Sequence, residues 1–558
     1  MTDTGNPPDK KLSAFVSFPS PYTQSLLVQA LVATIPSLSL SLAPFPEAEP
    51  PALQWADYDL MSFDKPHANP TSYQISSYIY RKALIRKHQL QSTIIAYLAK
   101  CQHRNTESVL NPQTHGGIPK GWNVEIQFAD ELDELLVDDL YELGEGMRDN
   151  EGKEDGEKRW WILKPGFADR AQGIRMFSTE DELRAIFESF EPSSSDEEDY
   201  EDEDDDHDDE DVGGKGADEH GSVNGEDGVM VLLVQKAVEL GFTDEDDERG
   251  NDQGDEDNDE DEEGTGVMTS QLRHFVIQEY MPRPVLFDIA QQAHQPRPRS
   301  NPRGYKFHLR AYVLVTGGYT VHLARTMLAL FSGSPYTHPS SSDDELDLRP
   351  HLTNTCLQTD AYGAPTPPEE LVKLFWELEG LSALSANSKG DYEEKGTIDR
   401  AWLDGTFAKC GEVVAEAVKA GVECGSFGLQ FMPNAFEASI FGVDLILSFP
   451  ESASSHSSPL PRLPIPTVTL LEFNASPDFH QSGDRLRPDL LEMFKGVIRI
   501  SVAPFFGLSV TDDEDDHEDA SHERRKDIGV REGEKWEVGE EKWGWRLIGQ
   551  GEIRGSGW

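Results

Sequence analysis

The stretch TVTLLEFNASP, Thr467 to Pro477, decides how the rest of the chain is read. Val468, Leu470 and Leu471 form a short apolar run of strand length that ends in Glu472 and Asn474. Side chains two residues apart on a strand share a face, so a carboxylate and an amide oxygen stand side by side. Such a pair at the end of a buried strand suits a hard cation such as Mg²⁺, which keeps few protein ligands and takes the rest from nucleotide phosphates. A polar strand end entering a turn reads the same way in isolation, so its neighbours have to be weighed with it.

Phe436–Leu447 is a second apolar strand, carrying Asp444, and it immediately precedes the Glu472 strand. Asp444, Glu472 and Asn474 can therefore converge from neighbouring strands. Further upstream, Lys306 to Val315 reads KFHLRAYVLV, alternating long polar and apolar side chains before turning wholly apolar. Strand period places Lys306, His308 and Arg310 on one face. Two permanent cations there repel by about 4 kcal/mol at 4 Å and an effective dielectric near 20, a penalty that a bound anion removes. Tyr319 to Arg325 reads as the hairpin partner and adds Arg325.

Trp160 to Gly166 is an aromatic and aliphatic strand ending in Lys164, followed by a loop with Gly166 and Gly173. Backbone amides and one ammonium can fold over phosphates in such a layout, although it has neither P-loop nor dinucleotide-fold spacing. Taken jointly, three oxygen ligands, a Lys-Gly loop and a strand of cations describe a Mg-nucleotide site.

The chain has 558 residues, 103 acidic against 49 basic, for a net charge of −54. Nucleic acid and anionic membranes are excluded as primary partners on that balance. Cys101, Cys356, Cys410 and Cys424 form no metal-ligand spacing and read as free thiols in a reducing, cytoplasmic setting. No signal-peptide layout or transmembrane run is expected, since the most apolar stretch, Leu26 to Phe45, is broken by Gln29, serines and Pro36.

A strand at Ala14–Phe18 and a helical pattern from Leu26 to Ala33 predict a small N-terminal α/β unit. Tyr73–Cys101 is helical in pattern and gathers Arg81, Lys82, Arg86 and Lys87. From Pro192 to about Gly266 the composition turns acidic, with only Tyr200 and His207 interrupting Asp196–Asp211, and disorder is expected. An apolar island, Val229–Phe242, interrupts that insert. Phe275–Tyr280 reads as a strand, and Ala401–Gly425 as a long amphipathic helix. Past Phe506 the chain is acidic again and ends in a tail holding Trp536, Trp543, Trp545 and Trp558, expected either to pack as a hairpin or to anchor a partner.

In this order, YRKALI (79–84), WILKP (161–165), VIQEYMPRP (276–284), KFHLRAYVLV (306–315), HLTNTCLQ (351–358), FGVDLIL (441–447) and LLEFNASP (470–477) resemble the tubulin-tyrosine ligase family. The resemblance covers most of residues 73–505 and implies an α/β (α+β) ATP-grasp fold. The expected regions are an N-terminal α/β domain (12–130), the ATP-grasp region (131–191 and 267–508), the acidic insert (192–266) and an acidic, Trp-containing tail (509–558).

The same resemblance implies the chemistry and its residues. ATP would phosphorylate a carboxylate, and an amine would attack the acyl phosphate to join an amino acid, tyrosine first among them, to a protein tail such as that of tubulin. Lys82 and Lys164 would contact ATP phosphates, and Gln278, Glu279 and Tyr280 would form the adenine hinge. Lys306 would lie along the nucleotide. Arg310 and Arg325 would face the substrate carboxylate, with Asn354 orienting it, and Asp444, Glu472 and Asn474 would hold Mg²⁺. One position departs from the family, whose KFDLR has Asp where this chain has His308. An imidazole there removes an acceptor beside the nucleotide. The KFHLR variant is similar to a fungal branch of the family associated with cytoplasmic P-bodies, which implies mRNA-decay partners and keeps open a nucleotide-binding scaffold that no longer ligates. The insert is expected to sit at the active-site mouth as a mimic of an acidic tail.

Overall fold

In the computed structural model of the chain, the run from Thr467 forms strand β15 (Thr467–Asn474) at one end of a seven-stranded antiparallel sheet. Next to it lie β14 (Phe436–Ser448), β9 (Phe307–Thr316) and β10 (Thr320–Phe331). The structure describes residues 11–190, 274–291, 302–508 and 536–551, save for 36, 47–48, 80, 167–171, 282, 341–345, 360–363, 365, 388–389, 426–431, 433, 451–461 and 476–478. The acidic insert, its Val229–Phe242 island, Asp512–Asp519 and Trp558 lie outside those residues.

The wholly apolar half of β9 follows from burial on both faces. Leu309, Ala311, Val313 and Val315 enter one core with Leu445, Leu470 and the long helix Arg400–Cys424, while Tyr312 and Leu314 enter another with Val16 and Trp55. Asp399 caps that helix, its side chain accepting from the Trp402 amide at 2.7 Å.

Val16 and Trp55 belong to a parallel N-terminal sheet of order β2–β1–β3–β4: β1 (Leu12–Ser17), β2 (Leu38–Ser41), β3 (Leu53–Ala56) and β4 (Gln74–Ile75). The expected strand-then-helix unit is present, with helix Pro21–Thr34 after β1. Tyr73–Cys101 is not one helix. Its start is β4, and the remainder splits into helices Lys82–Ile85 and Lys87–His103 because Arg86 is extended (φ −92°, ψ 119°).

A third sheet, of order β5–β8–β6–β7, is antiparallel throughout: β5 (Gly121–Glu125), β6 (Trp161–Pro165), β7 (Arg175–Phe177) and β8 (His274–Glu279). It puts Lys164 and Gln278 opposite the large sheet, across a cavity lined from both.

Residues 536–551 of the C-terminal tail pack against the large sheet. β10 lends its outer edge to two partners, β11 (Val372–Leu374) at Leu328–Leu330 and β17 (Trp545–Gln550) at Thr320–Ala324. β16 (Glu541–Lys542) turns into β17 through Trp543 and Gly544, both at positive φ (51° and 75°), the requirement of a two-residue hairpin turn. Trp545 is fully buried, and its Nε1–H donates to the Met493 carbonyl at 3.0 Å. Cys101, Cys410 and Cys424 are free thiols, and among the described residues no helix is long and apolar enough to cross a membrane.

Candidate active site

Between the β5–β8–β6–β7 sheet and the large sheet lies a cavity of about 460 Å³, of the size small-molecule sites take. Register explains its lining. Asp444 is paired with Glu472 on one side and with Arg310 on the other, so three charged side chains from β14, β15 and β9 lie in one row. Arg310 grips Asp444 with two bonds, Nε to Oδ1 at 2.5 Å and Nη2 to Oδ2 at 3.1 Å. Burial disfavours the guanidinium charge, but Asp444 more than offsets it and holds the group protonated. Asn474 donates through Nδ2 to Asp444 Oδ2 at 3.0 Å.

Lysines face this row. Lys164 is buried, and burial pushes its ammonium down against the pull of Glu472. Lys306 is pushed down to about 7 by burial and by Lys164, while its Nζ donates to the Tyr280 hydroxyl at 2.9 Å and the His351 carbonyl at 2.7 Å. Burial pushes Glu472 up, yet Lys87, Lys164 and Arg310 outweigh it and keep the carboxylate ionised. Lys87 Nζ lies 3.5 Å from Glu472 Oε2.

Lys164, Gln278, Glu279, Tyr280, Lys306, His308, Arg310, Asn354, Asp444, Glu472 and Asn474 all line the cavity. Two residues expected there do not. Lys82 opens the short helix Lys82–Ile85 on the exposed surface, and Lys87, at the start of the next helix, lines the cavity instead. Arg325 lies away from it. A register shift in the β9–β10 pairing between Leu323 and Met327 breaks the alternation at that point. Arg325 is stacked 3.8 Å over Trp376 and 4.9 Å over Phe407, near Asp404 and Glu541 at 3.6 and 3.3 Å.

Gln278, Glu279 and Tyr280, expected as the adenine hinge, line the cavity, and the amides of Glu279 and Tyr280 donate to the Lys120 and Trp160 carbonyls, each at 2.8 Å. The motif HLTNTCLQ (351–358) contains His351 and Thr353, but sequence reasoning assigned a role there only to Asn354, and none to Gln481; irregular segments bring all three to the cavity, where no periodicity marks them.

The pattern that defines the tubulin-tyrosine ligase family matches residues 134–509. The chain belongs to the tubulin-tyrosine ligase family. A probable tubulin–tyrosine ligase of Schizosaccharomyces pombe is 29% identical over 500 residues, spanning 90% of this chain and 94% of its own length. The probable tubulin–tyrosine ligase PBY1 of Saccharomyces cerevisiae is 31% identical over 476 residues, 84% of this chain but 48% of that longer protein. In three dimensions the chain is similar to the C-terminal domain of K. lactis Pby1, an ATP-grasp enzyme that interacts with the mRNA decapping enzyme Dcp2. That likeness has a TM-score of 0.51 at 25% identity and covers 90% of this chain and 97% of that one.

The fold is thus that of an ATP-grasp enzyme, and its residues fit a metal–nucleotide in kind. Lys87, Lys164, Lys306 and Arg310 offer cations to phosphates. Buried Gln278 Oε1 has no protein partner in the structure and can accept from a ligand. For the metal, Asp444, Glu472 and Asn474 offer oxygens, although Asp444 is held by Arg310 and Asn474. Among the described residues no three His, Cys, Asp or Glu side chains stand in ligating geometry, so a cation must displace these partners.

Proposed function

We propose that this chain is an ATP-dependent carboxylate–amine ligase joining an amino acid, tyrosine in the first instance, to the C-terminal tail of a protein. The reading is carried by the convergence of buried Lys164, Lys306 and Arg310 with Asp444 and Glu472 in one cavity between two sheets. Lys164 and Lys306 repel each other across the cavity, and a bound phosphate would remove that penalty.

In the reaction, a carboxylate oxygen attacks the γ-phosphorus of ATP, and the bond to ADP breaks, leaving an acyl phosphate. The amine lone pair then attacks the acyl carbon. Phosphate departs with the electrons of the broken C–O bond, and the amine gives its proton to water. Lys87 and Lys164 bind the phosphates, and Lys306 lies along the nucleotide, fixed by Tyr280 and His351. Arg310 stabilises the charge that builds on the transferred phosphoryl group. Mg²⁺, held by Asp444, Glu472 and Asn474, would supply further neutralisation of the phosphates. No residue of the protein need be covalently modified.

The test is mass spectrometry of a tubulin tail peptide lacking its final tyrosine, incubated with the protein, Mg-ATP and amino acids offered singly. An ATP-dependent mass gain that is lost in Lys164→Ala and Glu472→Gln supports the ligase.

A second reading, a nucleotide-binding scaffold recruited to cytoplasmic P-bodies, draws on the Arg310 grip on Asp444 and on His308 beside it. The interaction of K. lactis Pby1 with the decapping enzyme Dcp2 supports it, through recruitment by mRNA-decay proteins. Activity that appears only in His308→Asp favours the scaffold.

A further inference from the structure

Lys306 is held unlike other cations of the cavity. Lys87 lies 3.5 Å from the Glu472 carboxylate, and Arg310 grips Asp444 with two bonds. Lys306 is buried, 5% exposed, and among the described residues its Nζ has two acceptors, both neutral: the Tyr280 hydroxyl at 2.9 Å and the His351 carbonyl at 2.7 Å. His351 Nδ1 lies 3.1 Å from the same hydroxyl and fixes the phenol oxygen beside the amine. Burial pushes the Tyr280 phenol well above its ordinary value and the His351 ring down to about 3, so neither neighbour is charged near neutral pH.

The charged groups nearby do not compensate. The charge that bears on Lys306 is the buried ammonium of Lys164, facing it from β6. His308 and Arg310 follow it along β9; burial pushes the His308 ring down, and Arg310 is held by Asp444 from β14. Glu472, on β15, is drawn to Lys87 and Lys164. An ammonium desolvated among neutral oxygens and set beside a second ammonium is disfavoured, and these surroundings push Lys306 down to about 7. The hydrogen count agrees. Two bonds use both hydrogens of a neutral amine, whereas an ammonium carries a third, which finds no acceptor among the described residues and has the cavity to point into.

We propose that Lys306 stands as a neutral amine in the empty site at mildly alkaline pH and takes up a proton when nucleotide binds, so that ATP binding by this chain is proton-coupled. The arriving phosphates favour the ammonium, whose third N–H gains an anionic acceptor. The proton comes from solvent and offsets one charge of the nucleotide. Tyr280 and His351 are the positioning residues, since they hold the amine without neutralising an ammonium. Below about pH 7 the amine is already protonated and no uptake accompanies binding. Above it the empty site has lost the proton that the occupied site keeps, so affinity falls as pH rises. The inference deepens the nucleotide-site reading above and rests on it.

The test is calorimetry of the full chain with ATP at pH 8, where the nucleotide phosphates are fully ionised, in buffers that differ in ionisation enthalpy. Uptake approaching one proton per nucleotide is expected, with affinity falling roughly tenfold from pH 8 to pH 9. In Lys306→Arg, a cation at both pH values, the uptake is expected to vanish and the affinity to stay level. A second measurement needs no substitution. Acylation of Lys306 by a small amine-directed reagent, followed by peptide mass spectrometry, should be half-maximal near pH 7 and suppressed by ATP, whereas an ordinary lysine reaches that point near pH ~10.4. ATP bound without uptake at pH 8, uptake that persists in Lys306→Arg, or an ordinary lysine's labelling profile at Lys306 overturns the inference and leaves the nucleotide reading intact. No ATP binding at any pH overturns both.

Discussion

Lys87 opens the helix Lys87–His103, where its stem is tethered by the helix and its ammonium reaches Glu472 across the cavity. A charge-assisted contact of this kind contributes about 1.5–3 kcal/mol, equivalent to a tenfold or larger change in binding. Lys87→Met is therefore expected to weaken ATP binding by about tenfold or more in calorimetry, and Lys82→Met to leave it unchanged. Equal losses in both would contradict the placement. The sequence could not separate the two lysines, because the break between them lies in the backbone of Arg86 and not in a Gly or Pro. Asp444, Glu472 and Asn474 were legible for the opposite reason: strand period and short chain separation fix their faces. Arg325 was misplaced because a register shift is invisible to alternation. Its substitution by Met should cost about 1 kcal/mol of stability through lost stacking on Trp376 and Phe407, with no change in ATP affinity. A drop in affinity would return Arg325 to the site.

The hairpin β16–β17 completes the large sheet. Gly496, on the helix Arg487–Val497, lets it approach, since a Cβ there would stand 2.5 Å from Trp545 Cδ1. Trp545→Ala removes a fully buried indole and is expected to cost about 3–5 kcal/mol in chemical denaturation. Ending the chain after Leu508 exposes the edge of β10 and should give association in sedimentation, whereas a monomeric, equally stable truncation would show the hairpin to be dispensable. The tail's four tryptophans marked burial in the sequence, but its docking place depended on a free edge more than 200 residues away and could not be read. β9 and the helix Arg400–Cys424 were readable within a residue or two, because their cores repeat at the period of the element, whereas β10 runs on to Phe331, six residues past the expected Tyr319–Arg325.

For the molecule as a whole, acid stability hinges on buried neutral groups. Burial pushes His322, on β10 and edge-on to Trp536 at 5.0 Å, down to about 4. Between its unfolded value near 6.5 and 4, the unfolded chain binds the proton and the folded chain does not, so stability falls as pH drops through that window. The loss is roughly 3 kcal/mol when complete. Thermal unfolding at pH 7 and pH 5 should show a smaller acid penalty in His322→Gln than in the natural chain, and an identical penalty would remove His322 as its source. The net charge of −54 gave no hint of a cation-lined interior. Composition sums over the chain, whereas the cavity gathers lysines and an arginine from three sheet and helix edges.

Calorimetric titration of the natural chain with ATP, with and without divalent cation, tests the central claim most directly. One ATP per chain, bound more tightly with cation, and lost in Lys164→Ala and in Glu472→Gln, is the predicted result. ATP binding that survives both substitutions, or no binding at all, would contradict a nucleotide site between the two sheets.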